Sequence, residues 1–187
     1  MKIRLATVNI ERDSIVNGEG IRAVIWTQGC PHNCLGCHNP ETHSLNDGYL
    51  VDVEDVIKKI DLLEGQDGIT FSGGEPMLQP LACSVIAKHC KRMGFNVWCY
   101  TGYTYENLLK MSSQKSDILN FLKQIDVLID GKFVIEEKSY DSVFRGSKNQ
   151  RIIDVQESLS KGTTVVMTKF DNHFDNKKGR KNRYMFV

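Results

Sequence analysis

Three cysteines and two histidines fall within nine positions of the segment "GCPHNCLGCHNP", residues 29–40. Cys30, Cys34 and Cys37 make a C-x3-C-x2-C string, and His38 follows the third. Thiols this close together are metal ligands or redox partners, and four chemistries compete for them. Cys34 to His38, taken alone, is the C-x-x-C-H string of c-type haem attachment. Structural zinc takes four ligands, commonly as two separated pairs, so it would need His32, His38 or His43 to complete this triplet. A thioredoxin-like dithiol uses Cys34 and Cys37 and leaves Cys30 unexplained. An iron–sulfur cubane uses all three. Such a cluster is usually held by four thiolates, so three leave one iron corner open. An open coordination position marks a catalytic metal rather than a structural one. Gly36 and neighbouring Asn33 suit a loop that curls closely around such a group.

A second motif, "TFSGGEPML" at residues 70–78, places Gly73 and Gly74 before the carboxylate of Glu75. The glycines let backbone approach a ligand, and Glu75 is expected to accept hydrogen bonds from a cationic amine. By itself G-G-E-P is also what a plain tight turn uses. No G-x-x-x-x-G-K occurs, so this is not a nucleotide phosphate loop. Cys83 and Cys90, seven apart on a predicted helix, and Cys99 inside "VWCY" read as small buried hydrophobes.

The elements that must position these motifs alternate in type. "RAVIWTQ" (22–28), "GITFS" (68–72), "FNVWCY" (95–100) and "IDVLID" (125–130) read as strands. Residues 51–64 carry Val53, Val56, Ile57, Ile60 and Leu63 at helical spacing behind Asp52 as N-cap. A second helix runs from about Leu78 to Met93 and stops at Gly94, and one or two more cover 104–123. The opening residues 3–10 read as a short strand or hairpin arm. Strand–helix alternation implies an α/β fold with a mostly parallel sheet and right-handed crossovers. Each motif then falls just past a strand's carboxyl end, where such folds place ligands. A complete eight-unit barrel needs about 250 residues, so 187 are expected to build a partial (βα) barrel, open on one side for a bulky substrate.

The chain as a whole is ordinary: 41% hydrophobic, 25% charged, with 24 basic and 23 acidic side chains. That near-neutral balance gives no ground for nucleic acid or a membrane surface as partner. No run approaches the roughly 18 apolar residues of a membrane span, and "MKIRLATVNIERD" does not read as a signal peptide. A single domain over 1–187 in the cytosol is expected, with a basic tail over about 171–187. Cytosolic thiols stay reduced unless they bind metal.

With the cysteine triplet upstream of G-G-E-P, the sequence resembles the radical S-adenosylmethionine superfamily. The segments "DSIVNGEGIRAVIWTQGCPHNCLGCHNPETH", "FSGGEPML", "VWCYTGYTYENL", "VLIDGKFV" and "FRGSKNQRIID" narrow the resemblance to activating proteins of anaerobic ribonucleoside-triphosphate reductase. The resemblance implies a [4Fe–4S] cluster on Cys30, Cys34 and Cys37, with S-adenosylmethionine chelated at the open iron. It implies that Gly73, Gly74 and Glu75 lie along the methionine amino group, and that Gly36 and His38 lie against the cofactor. Many superfamily members carry an aromatic residue where Gly36 stands, so the adenine needs another neighbour, with His38 a candidate. The implied activity is glycyl-radical formation on the reductase, with electrons from a small donor such as flavodoxin. An activase of another glycyl-radical enzyme, such as a formate-lyase, is the nearest alternative.

The remaining polar residues near the expected rim divide between site and scaffold. Tyr100 and Tyr103 either line the cofactor cleft or pack in the core. Lys132 faces the cofactor carboxylate or solvent, and Arg145, Asn149 and Arg151 dock the partner or brace their loop. His32, His43, His89 and His173 have no ligand-like spacing.

Overall fold

The computed structural model describes residues 1–171, so the basic tail and His173 lie outside the described residues. The chain runs β1 (Lys2–Leu5), β2 (Glu11–Ser14), β3 (Arg22–Thr27), β4 (Tyr49–Asp52), α1 (Val53–Asp61), β5 (Gly68–Gly73) and α2 (Pro80–Arg92). It continues as β6 (Asn96–Tyr100), α3 (Tyr105–Ser112), α4 (Ser116–Leu122), β7 (Val127–Asp130), β8 (Arg151–Asp154) and α5 (Val155–Lys161).

All eight strands join one sheet in the order β4-β1-β3-β5-β6-β7-β8, with β2 also on β3. The centre, β3-β5-β6-β7, is parallel throughout. Its strands are near-continuous apolar runs and are buried almost end to end, as parallel strands covered on both faces must be. The outer pairs β1–β4, β1–β3, β2–β3 and β7–β8 are antiparallel. The opening arm is not a hairpin: β1 pairs at Thr27 and β2 at Arg22–Val24, so the two share β3 as their common partner. What the pairing establishes is a mixed α/β sheet with a parallel centre, running from β4 to β8 without closing.

Local sequence explains most boundaries. α1 buries Val53, Val56 and Ile60 and carries Glu54 and Asp55 in its first turn and Lys58 and Lys59 in its last, matching the helix dipole. Asp52 takes the N-cap position, yet its side chain makes no capping bond. It sits opposite Lys2 in the β1–β4 ladder, and the two form a 3.5 Å ion pair instead. α2 begins at Pro80, where a missing N–H leaves no helical bond unmade, and Gly94 follows it at φ +87°. The inner face of α2, with Cys83, Ile86, Ala87 and Cys90, joins Ile69 and Phe71 of β5 and Phe121 of α4 in the main core.

A second core forms around Trp98, Val127, Ile129, Ile152 and Phe170. Arg22 lies over the Trp98 ring at 5.2 Å and donates to Thr70 Oγ1, to Asn96 Oδ1 and to the carbonyls of Glu19, Ile69 and Asn96. Burial lowers its pKa to about 10, but it has every N–H partnered. It closes the amino-terminal side of the sheet. The register Thr27↔Gly73 and Tyr100↔Ile129 aligns the other ends, so the loops after β3, β5, β6 and β7 share one rim. Among the described residues no helix is long and apolar enough to cross a membrane.

Candidate active site

The cysteine loop leaves β3 at Thr27 and is tied at its base. Gly29 N–H donates to Thr42 O at 2.9 Å and Cys30 N–H to His43 O at 3.1 Å. Within it, Asn33 (φ +47°) and Gly36 (φ +72°) turn the chain left-handed, a conformation that asparagine and glycine tolerate best. The resulting curl exposes Cys30, Cys34 and Cys37 in part and brings all three to the wall of one cavity of about 600 Å³. That volume lies within the roughly 300–1,000 Å³ typical of small-molecule sites.

Burial raises the Cys30 and Cys37 thiols above their ordinary pKa. Backbone amides work against this: those of His32 and Asn33 at Cys30, and those of Asn39 and His38 at Cys37. The Asn39 N–H lies 3.4 Å from Cys37 Sγ, the donor geometry that stabilises a metal-bound thiolate. The other cysteines differ in kind. Cys83, Cys90 and Cys99 are fully buried in the core, and burial drives their thiols up, Cys90 to about 12.

No three His, Cys, Asp or Glu side chains among the described residues converge as the ligands of a single metal ion do. The three cysteines all line one cavity, as thiols that share the iron corners of one cubane must. His43 adds to the fit: its Nε2 is buried in the same wall with no hydrogen-bond partner among the described residues, and so is Arg145 Nε. Buried polar atoms are nearly always paired, so both are open to a group from outside the described residues.

The opposite wall comes from the end of β5. Gly74 N–H donates to Thr27 O at 2.8 Å, and a Cβ on Gly74 would stand 2.4 Å from the Gly29 carbonyl oxygen. Only glycine lets the two loops meet this closely, leaving bare backbone of Gly73 and Gly74 on the cavity.

Glu75 is not on that surface. It is completely buried, and its carboxylate accepts from Met77 N–H (3.0 Å), Thr101 Oγ1 (2.9 and 3.0 Å), Gly102 N–H (2.9 Å) and His32 Nε2 (2.7 Å). His32, without ligand-like spacing in the sequence, thus reaches down from the cysteine loop. Its ring meets Tyr103 edge-on at 4.5 Å.

His38 lines the cavity with its ring tilted against Phe133 at 4.9 Å. A Cβ on Gly36 would lie 2.7 Å from Cδ1 at the flexible end of Ile135 and 3.5 Å from the ring of Phe133, an aromatic residue that also lines the cavity. Its sequence signal was its place directly after Gly131 and Lys132 at a strand end, a position that invites no special notice. Tyr100 lines the cavity too, with its hydroxyl donating to Phe144 O at 2.9 Å, whereas Tyr103 faces a smaller adjoining cavity behind His32. Lys132 borders both cavities, and Arg145 lines the main one while pairing with Asp171 at 2.8 Å. Asn149 and Arg151 act as braces, Asn149 on Lys132 O and Arg151 on Asp130 and Glu106.

The 4Fe-4S single cluster domain family matches residues 16–153, a span that holds every wall of this cavity except Glu11. An anaerobic ribonucleoside-triphosphate reductase-activating protein of Haemophilus influenzae is 36% identical over 149 residues, covering 74% of this chain and 90% of that protein. The protein of the same name from Escherichia coli K12 is 37% identical over 145 residues, covering 73% and 90%. A pyruvate formate-lyase-activating enzyme of Clostridium pasteurianum is 36% identical over 124 residues, covering 63% of this chain and 52% of that enzyme. The three-thiol cavity and these likenesses agree: this chain is an iron–sulfur activating enzyme and belongs to the family of anaerobic ribonucleoside-triphosphate reductase-activating proteins.

Proposed function

We propose that this enzyme installs a glycyl radical in an anaerobic ribonucleoside-triphosphate reductase, using S-adenosylmethionine at a [4Fe–4S] cluster held by Cys30, Cys34 and Cys37. The observation that carries the reading is the division of six cysteines into three that share a cavity wall and three sealed in the core. Cys30, Cys34 and Cys37 would hold the cluster, which when bound and reduced would supply the one-electron chemistry that cleaves S-adenosylmethionine for hydrogen abstraction from a glycine.

The chain's own residues then have separate tasks. Amides around Cys30 and Cys37 stabilise thiolate charge. Gly73 and Gly74 offer bare backbone to the methionine end, and His38 with Phe133 forms an aromatic wall for the adenine. The open sheet, read as a partial barrel, leaves one side for the partner's glycine segment. A small flavodoxin-like donor and a cytosolic setting complete the reading.

Anaerobic reconstitution with iron and sulfide, followed by strong reductant and S-adenosylmethionine, tests it through 5′-deoxyadenosine release. The wild-type chain should be brown and form product, and Cys37→Ala should form none. Full activity in Cys37→Ala would sink the cluster assignment. Adding either an anaerobic reductase or a pyruvate formate-lyase and looking for a glycyl radical by paramagnetic resonance decides the partner. The reductase should give the signal; a signal with the lyase alone would favour the relative from Clostridium pasteurianum as the functional guide.

A further inference from the structure

Glu75 occupies a position where a carboxylate meets a cavity built for a cofactor with a cationic amine, yet its geometry points elsewhere. An ionised carboxylate has about four lone-pair sites. Here four donors fill them: Met77 N–H, Thr101 Oγ1–H, Gly102 N–H and His32 Nε2. Glu75 is 0% exposed and is absent from the cavity wall that Gly73 and Gly74 line. No acceptor capacity remains for an ammonium group.

The donors come from three separate segments. Thr101 and Gly102 follow β6, Met77 belongs to the turn after β5, and His32 lies between Cys30 and Cys34 in the loop after β3. His32 borders the cavity along with the thiols on either side of it, while its Nε2 is held by Glu75. Its ring is pinned by close packing as well, since a Cβ on Gly102 would stand 2.3 Å from His32 Cδ2. The Glu75 carboxylate does not line the cavity, and the His32 side chain is only 7% exposed.

We infer that His32 and Glu75 are positioning residues, a buried latch that fixes the cysteine loop against the neighbouring strand ends and so sets where the thiols stand. The inference rests on the cluster reading above. Partners that orient metal ligands without touching the metal typically change metal retention by about 10- to 100-fold when removed. Opening the latch frees the loop, and removing Glu75 in addition leaves the buried Met77 N–H and the part-buried Gly102 N–H without an acceptor.

The experiment compares wild type with Glu75→Ala, Glu75→Gln, His32→Ala and His32→Phe. Each is reconstituted anaerobically and assayed for iron and sulfide, for the paramagnetic resonance of the reduced cluster, and for equilibrium binding of S-adenosylmethionine per cluster. His32→Phe leaves the other three donors on Glu75 and fills the ring's space, so it keeps the test alive if Glu75→Ala does not fold. The latch predicts that Glu75→Ala and both His32 variants lose iron on gel filtration about 10- to 100-fold faster than wild type and broaden the cluster signal. Molecules that keep a cluster should bind the cofactor within about twofold of wild type, a difference well under 1 kcal/mol. Glu75→Gln keeps an acceptor for the backbone amides and should fall between. Full iron retention in Glu75→Ala with cofactor binding weakened about tenfold or more, roughly 1.4 kcal/mol, would make the carboxylate an amine receptor and overturn the latch. Unchanged iron retention and spectrum in His32→Phe would overturn it as well. Wild-type protein that takes up no iron and sulfide would overturn the cluster reading itself, whatever the variants do.

Discussion

At the scale of single residues, the chemistry depends on which side chains are left free. The sequence offers six cysteines, and their types are identical; burial separates them. Thiolate, not thiol, is the reactive form, and a core thiol raised to about 12, as Cys90 is, stays protonated at neutral pH. In cluster-free native protein, a thiol reagent should therefore label Cys30, Cys34 and Cys37 and spare Cys83, Cys90 and Cys99 until denaturant is added. Mass spectrometry of the alkylated chain checks this, and early labelling of Cys99 would show that its strand is less sealed than its burial implies. Glu75 illustrates the opposite case. A carboxylate after two glycines reads from sequence as a receptor for an amine, because sequence gives the acceptor and not the donors around it. His32 carried no signal for the same reason: its partner is 43 residues away.

At the scale of elements, the strands and helices were legible because their patterns are local. β3, β6 and β7 fall inside the predicted apolar runs, β5 runs one residue past its own to Gly73, and α1 and α2 fall inside the predicted periodic ones. β4 and β8 were not anticipated, since short antiparallel edge strands take their identity from a neighbour rather than from their own residues. Asp52 shows how a long-range partner overrides a local rule, with Lys2 taking the side chain from the helix it caps. The junction of β3 and β5 is the most demanding point. The atom that a Gly74 side chain would strike is the Gly29 backbone oxygen, which cannot rotate away. Gly74→Ala should therefore destabilise the fold by about 1–3 kcal/mol, the usual range for overpacking, and displace the cysteine loop. Urea unfolding measures the first effect, and a loss of iron retention the second.

At the scale of the whole molecule, ion pairs hold the far end of the sheet beside the site. Arg151 of β8 bridges Glu106 of α3 (2.7 Å) and the buried Asp130 of β7. The Arg151 hydrogen bond, with help from Thr164, lowers the Glu106 pKa from 4.5 to about 2 against a smaller opposing effect of burial. A carboxyl depressed in the folded state stabilises above the unfolded pKa, and the contribution fades as pH falls from about 4.5 towards about 2. Glu106 is half exposed, so solvent screening holds the effect to about 1 kcal/mol or less. Glu106→Gln should thus lower the urea midpoint near about pH 6 and converge on wild type only as the pH approaches about 2. A constant gap across that window would assign the loss to packing instead.

The sequence by itself determined the inventory: three closely spaced thiols, a glycine pair at a strand end, and alternating apolar periods that require an α/β sheet with those motifs on one rim. These follow from contacts within a few residues, which spacing encodes directly. Only the tertiary structure decided which groups remain available. It filled the place beside Gly36 with Ile135 and Phe133 from the loop after β7, gathered four donors onto Glu75, and left His43 Nε2 without a partner among the described residues. Such outcomes depend on where distant segments meet, and burial and hydrogen-bond saturation are properties of that meeting rather than of any one stretch of chain.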